Sequence, residues 1–384
     1  MQKEVGIAIV GGGISGLALG CFLKKEGFQF KIFERMLNED DQLNQGFSLT
    51  IHESVEKILQ QYGLSDLFKE HGTRVEAQVI FDSKGYTIKS DGPRNLVLTR
   101  KEIRKILLAH LDKDDILYDM KVIDVEDNVI VCETSTTTSN DAIIFAKTYS
   151  SIYPTTPKEY AEALKCAIHS RYSFASLVIC DGIHSKLRDK LLPNFKLSEL
   201  GLMNIYGIVT VDPTIHHPSL EVQVLDGFHR LFCKPYENDK QMWEFTYPFK
   251  ETDTLNFQSS KQELLEHVCE IIKLWPFEEA YSFIKPSESK DIIVHNLADH
   301  VPEEEELLTL PKNIHLIGDT IHPMGPFIGK GANEAITDAY QIVRLLKSEI
   351  TLAQFNTDLI DRGKASVTKS RTKAEFYHSK KCVE

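Results

Sequence analysis

The chain has 384 residues, 42% of them hydrophobic and 26% charged, the balance of an ordinary globular protein with room for two domains. Its 56 acidic residues outnumber 44 Lys and Arg, a formal net charge of −12, which argues against nucleic acid as a partner because a phosphate backbone needs a basic face. No apolar run approaches the roughly 20 residues needed to span a bilayer.

The first strand begins near Val5, so the N-terminus does not read as a secretory leader. Cys21, Cys132, Cys166, Cys180, Cys233, Cys269 and Cys382 are scattered without a C-x-x-C pair. That suits a reducing, cytoplasmic setting with most thiols as small core residues. The histidines form no H-E-x-x-H or similar spacing, and His216-His217 precede Pro218 in a loop-like stretch, so no metal is expected.

Residues 5–10 are a strand buried on both faces, followed at once by Gly11-Gly12-Gly13-Ile14-Ser15-Gly16 and an apolar helix start. Gly11, Gly13 and Gly16 fit the dinucleotide fingerprint G-x-G-x-x-G. The first allows a tight turn, the second lets backbone approach a pyrophosphate, and the third lets helix and strand pack closely. Phosphates would sit on the free N–H groups and positive dipole end of that helix. A second strand over 30–33 ends in Glu34, where a carboxylate should meet a ribose hydroxyl pair. An acid there favours the unphosphorylated ribose of FAD or NAD over NADP, and Arg35 beside it keeps that preference open.

After a polar loop over 38–44, residues 54–62 have helical spacing and 75–88 read as a hairpin around Ser83-Lys84-Gly85. Residues 96–100 lead into another helix, with Thr99 as N-cap and Glu102 three residues on. Arg100 then lies in the first turn, poor placement for a cation unless an anion sits there too. This hints at a phosphate-facing arginine.

Residues 121–125 and 129–132 read as paired strands, and 133–140 as a polar surface loop. The stretch from there to 173 reads as a surface insertion, or as a lid over a substrate. A buried strand over 176–180 precedes Asp181-Gly182. Strand patterns then dominate from 201 to 249, which suggests a second domain built on a sheet. An amphipathic helix over 261–274, a buried strand over 314–319 and a helix over 333–347 follow. The tail from 352 is helical and could bridge the two domains or join a partner, so oligomeric state stays open.

Three separated segments now combine. The glycine fingerprint with Glu34-Arg35 is the first. Cys180-Asp181-Gly182-Ile183-His184-Ser185-Lys186-Leu187-Arg188 is the second. The third runs from Gly318-Asp319-Thr320-Ile321-His322-Pro323 through Gly325-Pro326-Phe327-Ile328-Gly329-Lys330-Gly331-Ala332-Asn333. Together they resemble the single-component, FAD-dependent aromatic hydroxylases, the p-hydroxybenzoate hydroxylase-like flavin monooxygenases, with a layout similar to the tetracycline-inactivating branch.

The resemblance implies an α/β fold with a Rossmann-type, GR2-like FAD-binding domain, a β-sheet substrate domain and a C-terminal helix. The FAD-binding domain would comprise residues 1–73, 96–190 and 305–348, the substrate domain 74–95 and 191–304, and the helix 349–384. FAD would be held by Gly11, Gly13, Ser15, Gly16, Glu34, Arg35, Arg100, Val122, Asp181, Asp319, Pro326, Gly329, Lys330, Gly331, Ala332 and Asn333. Arg188 would support the pyrophosphate region or form a structural ion pair. The helix starting near Gly331 would aim its dipole at the negative pyrimidine side of reduced flavin. Lys330 replaces the family's glutamine, and Thr320 its alanine. That lysine would stabilise anionic reduced flavin, or point to solvent.

The implied activity is an FAD-dependent monooxygenase that hydroxylates a small aromatic or polycyclic substrate. NADH or NADPH, as transient donor, reduces the flavin, O₂ adds to give a flavin hydroperoxide, and the distal oxygen is transferred. The cofactor carries that chemistry, so no side chain is named as catalytic. Phe232, Trp243, Phe245 and Phe327 are candidate substrate-lining residues, with core packing the competing reading for the first three. A flavin reductase or dehydrogenase, or a flavoprotein that binds a small molecule with little turnover, are the alternatives. No G-W-x-W-x-I-P segment points to a halogenase.

Overall fold

The computed structural model describes residues 3–40, 46–92, 95–134, 169–210, 219–237, 239–250, 253, 255–285 and 287–384. Its strands are β1 (Lys3–Val10), β2 (Phe30–Phe33), β3 (Ser48–Ile51), β4 (Thr73–Arg74), β5 (Ala77–Asp82) and β6 (Thr87–Asp91). There follow β7 (Leu96–Thr99), β8 (Ile116–Leu117), β9 (Lys121–Glu126), β10 (Val129–Glu133), β11 (His169–Ile179) and β12 (Ser198–Thr210). The last are β13 (Leu220–Leu225), β14 (Arg230–Pro235), β15 (Lys240–Pro248), β16 (Ile293–Asp299) and β17 (Ile314–Leu316). Cys166, His216-His217 and nearly all of the 133–173 stretch lie outside the described residues.

The first sheet runs β8-β2-β1-β11-β10-β9, with β17 also paired to β11. Its centre is parallel: Ile9 stands opposite Ile32 on one side and Val178 on the other, and Leu177 stands opposite Ile314. Buried on both faces, these strands are near-continuous apolar runs, as parallel strands covered by helices must be. Because they run the same way, β1, β2, β11 and β17 finish at one edge. Gly11, Glu34, Asp181 and Asp319 follow those four ends, where an open α/β sheet leaves room for a ligand. The antiparallel pair β9–β10 turns through Asp127 and Asn128, both with positive φ (46° and 62°), the conformation a two-residue hairpin turn needs.

The second sheet runs β16-β12-β15-β14-β13-β5-β6. One face packs on the helix Lys261–Lys273 through Met203, Ile205, Val224, Leu231, Trp243 and Phe245, against Leu264, Val268 and Ile272. Trp243 and Phe245 are fully buried there, with the Trp243 indole Nε1 donating to Ser287 Oγ at 2.7 Å. Gly207, paired with Trp243 across β12–β15, makes this possible, because a Cβ at Gly207 would collide with the indole. These two aromatics, expected near a substrate, belong to the core on the far face of the sheet.

Alternation puts the intervening residues on the other face: Asn204 and Tyr206, Glu221 and Gln223, Arg230, Phe232 and Lys234, Met242 and Glu244. The β3-β7-β4 sheet carries its chain between the two larger ones.

The tail helix Leu352–Tyr377 begins with a Thr351/Gln354 capping box. Its first turns pack Phe355 and Leu359 into the core of the first sheet, and its end packs Ala374 and Tyr377 beside Leu202, Leu225 and Leu297. Arg371 bonds both carboxylate oxygens of Asp299, at the end of β16. The helix therefore bridges the two sheets. No described helix is long and apolar enough to cross a membrane.

Candidate active site

A cavity of about 550 Å³ lies between the carboxyl edge of the first sheet and the polar face of the second. Its wall at one end is the glycine turn. Gly11 has φ +104°, and a Cβ there would lie 2.7 Å from the carbonyl oxygen of Cys180. At Gly16 a Cβ would strike the carbonyl oxygen of Gly11, so strand and helix meet at backbone distance. Gly13 differs: an added Cβ meets no atom within 4 Å. The helix Ile14–Lys25 has no side-chain cap and no acid in its first turn, which leaves its N–H groups and dipole end facing the cavity. Glu34 is buried beside the turn, accepting from Gly12 N at 2.6 Å and from Met36 N at 2.9 Å. Arg35 is exposed.

The middle of the cavity is lined by Ser15, Arg100, Asp319 and the run from Met324 to Ala332. Thr99 caps its helix as expected, accepting from Glu102 N at 3.1 Å. Arg100 is therefore held at the helix start, and its Nε is buried without a partner. Burial depresses its pKa, opposed by the nearby Asp319 carboxylate. Asp319 opens onto the cavity yet is surrounded by protein. Desolvation pushes its pKa up, against the pull of His322 and Arg100. Asp181 Oδ1 is also buried without a partner, and burial raises that carboxyl too.

Pro326 opens a short turn closed by Gly329, whose φ of +60° sends the chain into the helix Gly331–Leu346. Asn333 fastens this helix start to β3. It donates to Thr50 O (2.8 Å) and Gly329 O (2.9 Å) and accepts from His52 N (2.8 Å). Lys330 lines the cavity, but its ammonium lies 3.3 Å from Glu334 Oε1, on its own helix. Arg188 is a tie between motifs: buried, it donates to Ile183 O (2.8 Å) and Thr320 O (3.2 Å) and stacks on Phe195. Val122 sits in β9 at the sheet's edge, away from the cavity lining.

Behind this run is a buried network. His322 Nε2 lies 2.7 Å from Asp338 Oδ2, which also accepts from Gly318 N at 2.8 Å. Arg362 of the tail helix bonds Asp338 Oδ1 (2.9 Å), Glu334 Oε2 (2.7 Å) and Asp358 Oδ2 (2.8 Å). Ser366 donates to Glu334 Oε1 at 2.7 Å, and Ser370 to Gly325 O at 2.7 Å. Three groups of one helix thus hold the cavity-lining loop and the helix that follows it.

The far end of the cavity is the second sheet. Phe232 and Phe327 line it; Trp243 and Phe245 do not. What sequence reasoning missed is the polar set between them. Arg230 donates through Nε to Gln223 Oε1 (2.9 Å) and through Nη1 to Glu244 Oε2 (3.0 Å). Asn204 Nδ2 reaches Glu244 Oε1 (2.8 Å) and the Tyr206 hydroxyl (2.6 Å). Lys234 donates to Ser48 O at 2.7 Å, and Gln78 to Glu221 at 3.1 Å. Burial lowers the Lys234 pKa and raises those of Glu221 and Tyr206. The available signal was the alternation in Glu221-Val222-Gln223-Val224 and Arg230-Leu231-Phe232-Cys233-Lys234. Polar residues at every second position of a strand mark a second, polar face.

A parallel sheet ending in a glycine turn and the carboxylates of Glu34, Asp181 and Asp319, with a second glycine-rich helix start across the gap, defines a dinucleotide-binding protein of the flavin kind. Partnerless Arg100 Nε and Asp181 Oδ1, and the open ground beside Gly13 and Gly182, fit such a group. The chain belongs to the FAD binding domain family, whose model it matches over residues 4–123 and 156–362.

Among curated proteins it is 22% identical over 362 residues to Monooxygenase 1 of Arabidopsis thaliana, covering 91% of this chain and 80% of that one. Klebsiella pneumoniae HpxO, solved with FAD and uric acid, superposes with a TM-score of 0.78 at 16% identity, covering 98% of this chain and 90% of that one. The tetracycline destructase Tet(51) does so with a TM-score of 0.62 at 15% identity, covering 97% and 89%. The chain is thus an FAD-dependent enzyme of the monooxygenase kind, with the Rossmann-type α/β fold that its motifs implied.

Proposed function

We propose that this protein is a single-component monooxygenase that uses FAD, NADH or NADPH, and O₂ to hydroxylate a small organic molecule. The observation that carries this reading is one continuous cavity. It runs from a glycine turn suited to a pyrophosphate to a polar sheet face that no dinucleotide needs. A cofactor and a second small molecule can therefore share it. The Klebsiella relative, solved with FAD and uric acid together, lends support by analogy.

We assign the flavin end to the three segments 1–73, 96–190 and 305–348, and the substrate end to 74–95 and 191–304. Gly11, Gly13, Ser15 and Gly16 would receive the pyrophosphate through backbone N–H groups, with Glu34 at the adenosine ribose and Arg35 nearby. Arg100, Asp181 and Asp319 would bind the chain between pyrophosphate and ring, where each has bonding capacity to spare or opens onto the cavity. Pro326, Gly329, Lys330, Gly331 and Ala332 would lie against the ring, with Asn333 fixing their backbone. When bound, the flavin supplies two-electron reduction by a nicotinamide and delivery of one atom of O₂ to an organic substrate. The protein's own part is to bind, orient and exclude water. The dipole of the helix Gly331–Leu346 favours negative charge beside its first turn.

Oxygen uptake with NADH and with NADPH tests the proposal. Uptake stimulated by a hydroxylated substrate supports it. Reduction that needs an acceptor other than O₂ would make the protein a reductase instead.

A further inference from the structure

The charges at and behind the cavity floor answer one another. Arg100 faces Asp319, Lys330 pairs with Glu334, and Arg362 bonds Glu334, Asp338 and Asp358. Three cations thus meet four carboxylates, and the group that makes up the difference is His322. Its Nε2 lies 2.7 Å from Asp338 Oδ2, with both side chains fully buried. An imidazole held that close to a buried carboxylate favours its charged form. Burial would depress its pKa, but Asp338 raises it above the ordinary 6.5, opposed by Arg362 and helped by Asp319. The tail helix meets the ring with Gly363, where a Cβ would lie 3.1 Å from His322 Cβ and 3.3 Å from its Cδ2.

His322 is hidden behind the cavity wall, whereas Asp319, in the same turn, lines it. Burial pushes the Asp319 carboxyl up; of the charges that pull it down, His322 comes first and Arg100 second. An imidazolium donates at both nitrogens. One of these is spent on Asp338, while Nδ1 is buried without a partner, so no second acceptor consumes the charge. Hydride transfer from a nicotinamide, which leaves as its cation, brings two electrons and one proton to an uncharged flavin ring. The ring gains one negative charge. A carboxylate at Asp319 disfavours that charge, and a cation behind the carboxylate offsets the penalty.

Resting on the flavin reading, we infer that His322 is a positioning residue for flavin reduction: its charge, acting through Asp319, favours the reduced ring over the oxidised one in this cavity. The tail helix takes part, because Arg362 shares Asp338 with His322. The preference is present while the imidazole is protonated and is lost as pH rises through its raised pKa.

The test is the reduction potential of bound FAD, read by spectroelectrochemistry under nitrogen across neutral and alkaline pH, in the wild type and in His322→Gln. Glutamine keeps a neutral donor toward Asp338. At neutral pH the wild type is expected to favour reduced over oxidised flavin about tenfold more than the variant does. That is a potential higher by about 30 mV for a two-electron couple. The gap should close as pH rises. By reciprocity, reduction must raise the His322 pKa by the same factor, about one unit. This second shift is read on the wild type alone, from the imidazole resonance in contact with Gly363, and it decides the matter if His322→Gln does not fold. Equal potentials at every pH, a gap that ignores pH, or an imidazole unmoved by reduction overturns the inference. A protein that takes up no FAD overturns the flavin reading and this inference together. One that binds FAD and shows no gap overturns this inference alone.

Discussion

Gly13 and Gly16 stand three residues apart in one motif and are needed for different reasons. A methyl group at Gly16 collides with backbone, whereas one at Gly13 meets nothing of the protein. Gly16→Ala should therefore destabilise the apoprotein by about 2 kcal/mol or more through overpacking. Gly13→Ala should leave apoprotein stability within about 0.5 kcal/mol yet weaken FAD binding. Thermal unfolding of apoprotein beside a flavin titration separates the two. Arg100→Met, which removes a charged donor whose Nε has no protein partner, should weaken FAD binding about ten- to a hundredfold. At this scale the sequence was most legible where chemistry demands a residue type. Gly11, Gly16, Glu34 and the odd placement of Arg100 all carry their reason in spacing. Lys330 was not legible, because its choice between flavin and Glu334 depends on a carboxylate one turn further along the same helix.

The tail helix is the element on which the floor of the cavity depends, through Arg362, Ser366 and Ser370. Burial alone would raise the Asp338 carboxyl, but His322 and then Arg362 overcome it and hold it at about 2, below its ordinary 3.8. Burial would likewise depress His322, but Asp338 raises it above its ordinary 6.5. The sign follows: the carboxylate's contribution is present above pH 3.8 and lost as pH falls through about 2. The imidazolium's contribution is present below pH 6.5 and lost as pH rises through its raised value. Asp338→Asn should cost about 3–5 kcal/mol between those limits, by leaving buried cations short of a partner. The cost should shrink at more acid and more alkaline pH, and urea unfolding across pH measures it. Thr351→Ala, which removes the N-cap of the same helix, should cost about 1 kcal/mol at any pH. Helical spacing from Leu352 announced this element and left open whether it bridges the two domains or joins a partner; the structure shows the bridge. It rests on Phe355 at one end and Tyr377 at the other finding different sheets.

In the whole molecule, two sheets of different character face each other across one cavity. The parallel sheet was legible because its strands are continuous apolar runs, each followed by a glycine or an acid. The second sheet was legible as strands but not as a surface. As aromatics, Trp243 and Phe245 read as candidate lining, yet alternation sends them to the core and presents Met242 and Glu244 instead. Which face of a two-sided sheet meets the cavity depends on where the helix Lys261–Lys273 packs, and no local pattern in β15 records that.

The central claim is that this cavity holds a flavin which a nicotinamide reduces and O₂ reoxidises. The most direct measurement is the visible absorption spectrum of the purified protein, reconstituted with FAD if necessary, before and after NADPH or NADH under nitrogen. Flavin bands that bleach with the nucleotide and return with air are the predicted result. A colourless protein that takes up no FAD would contradict the account.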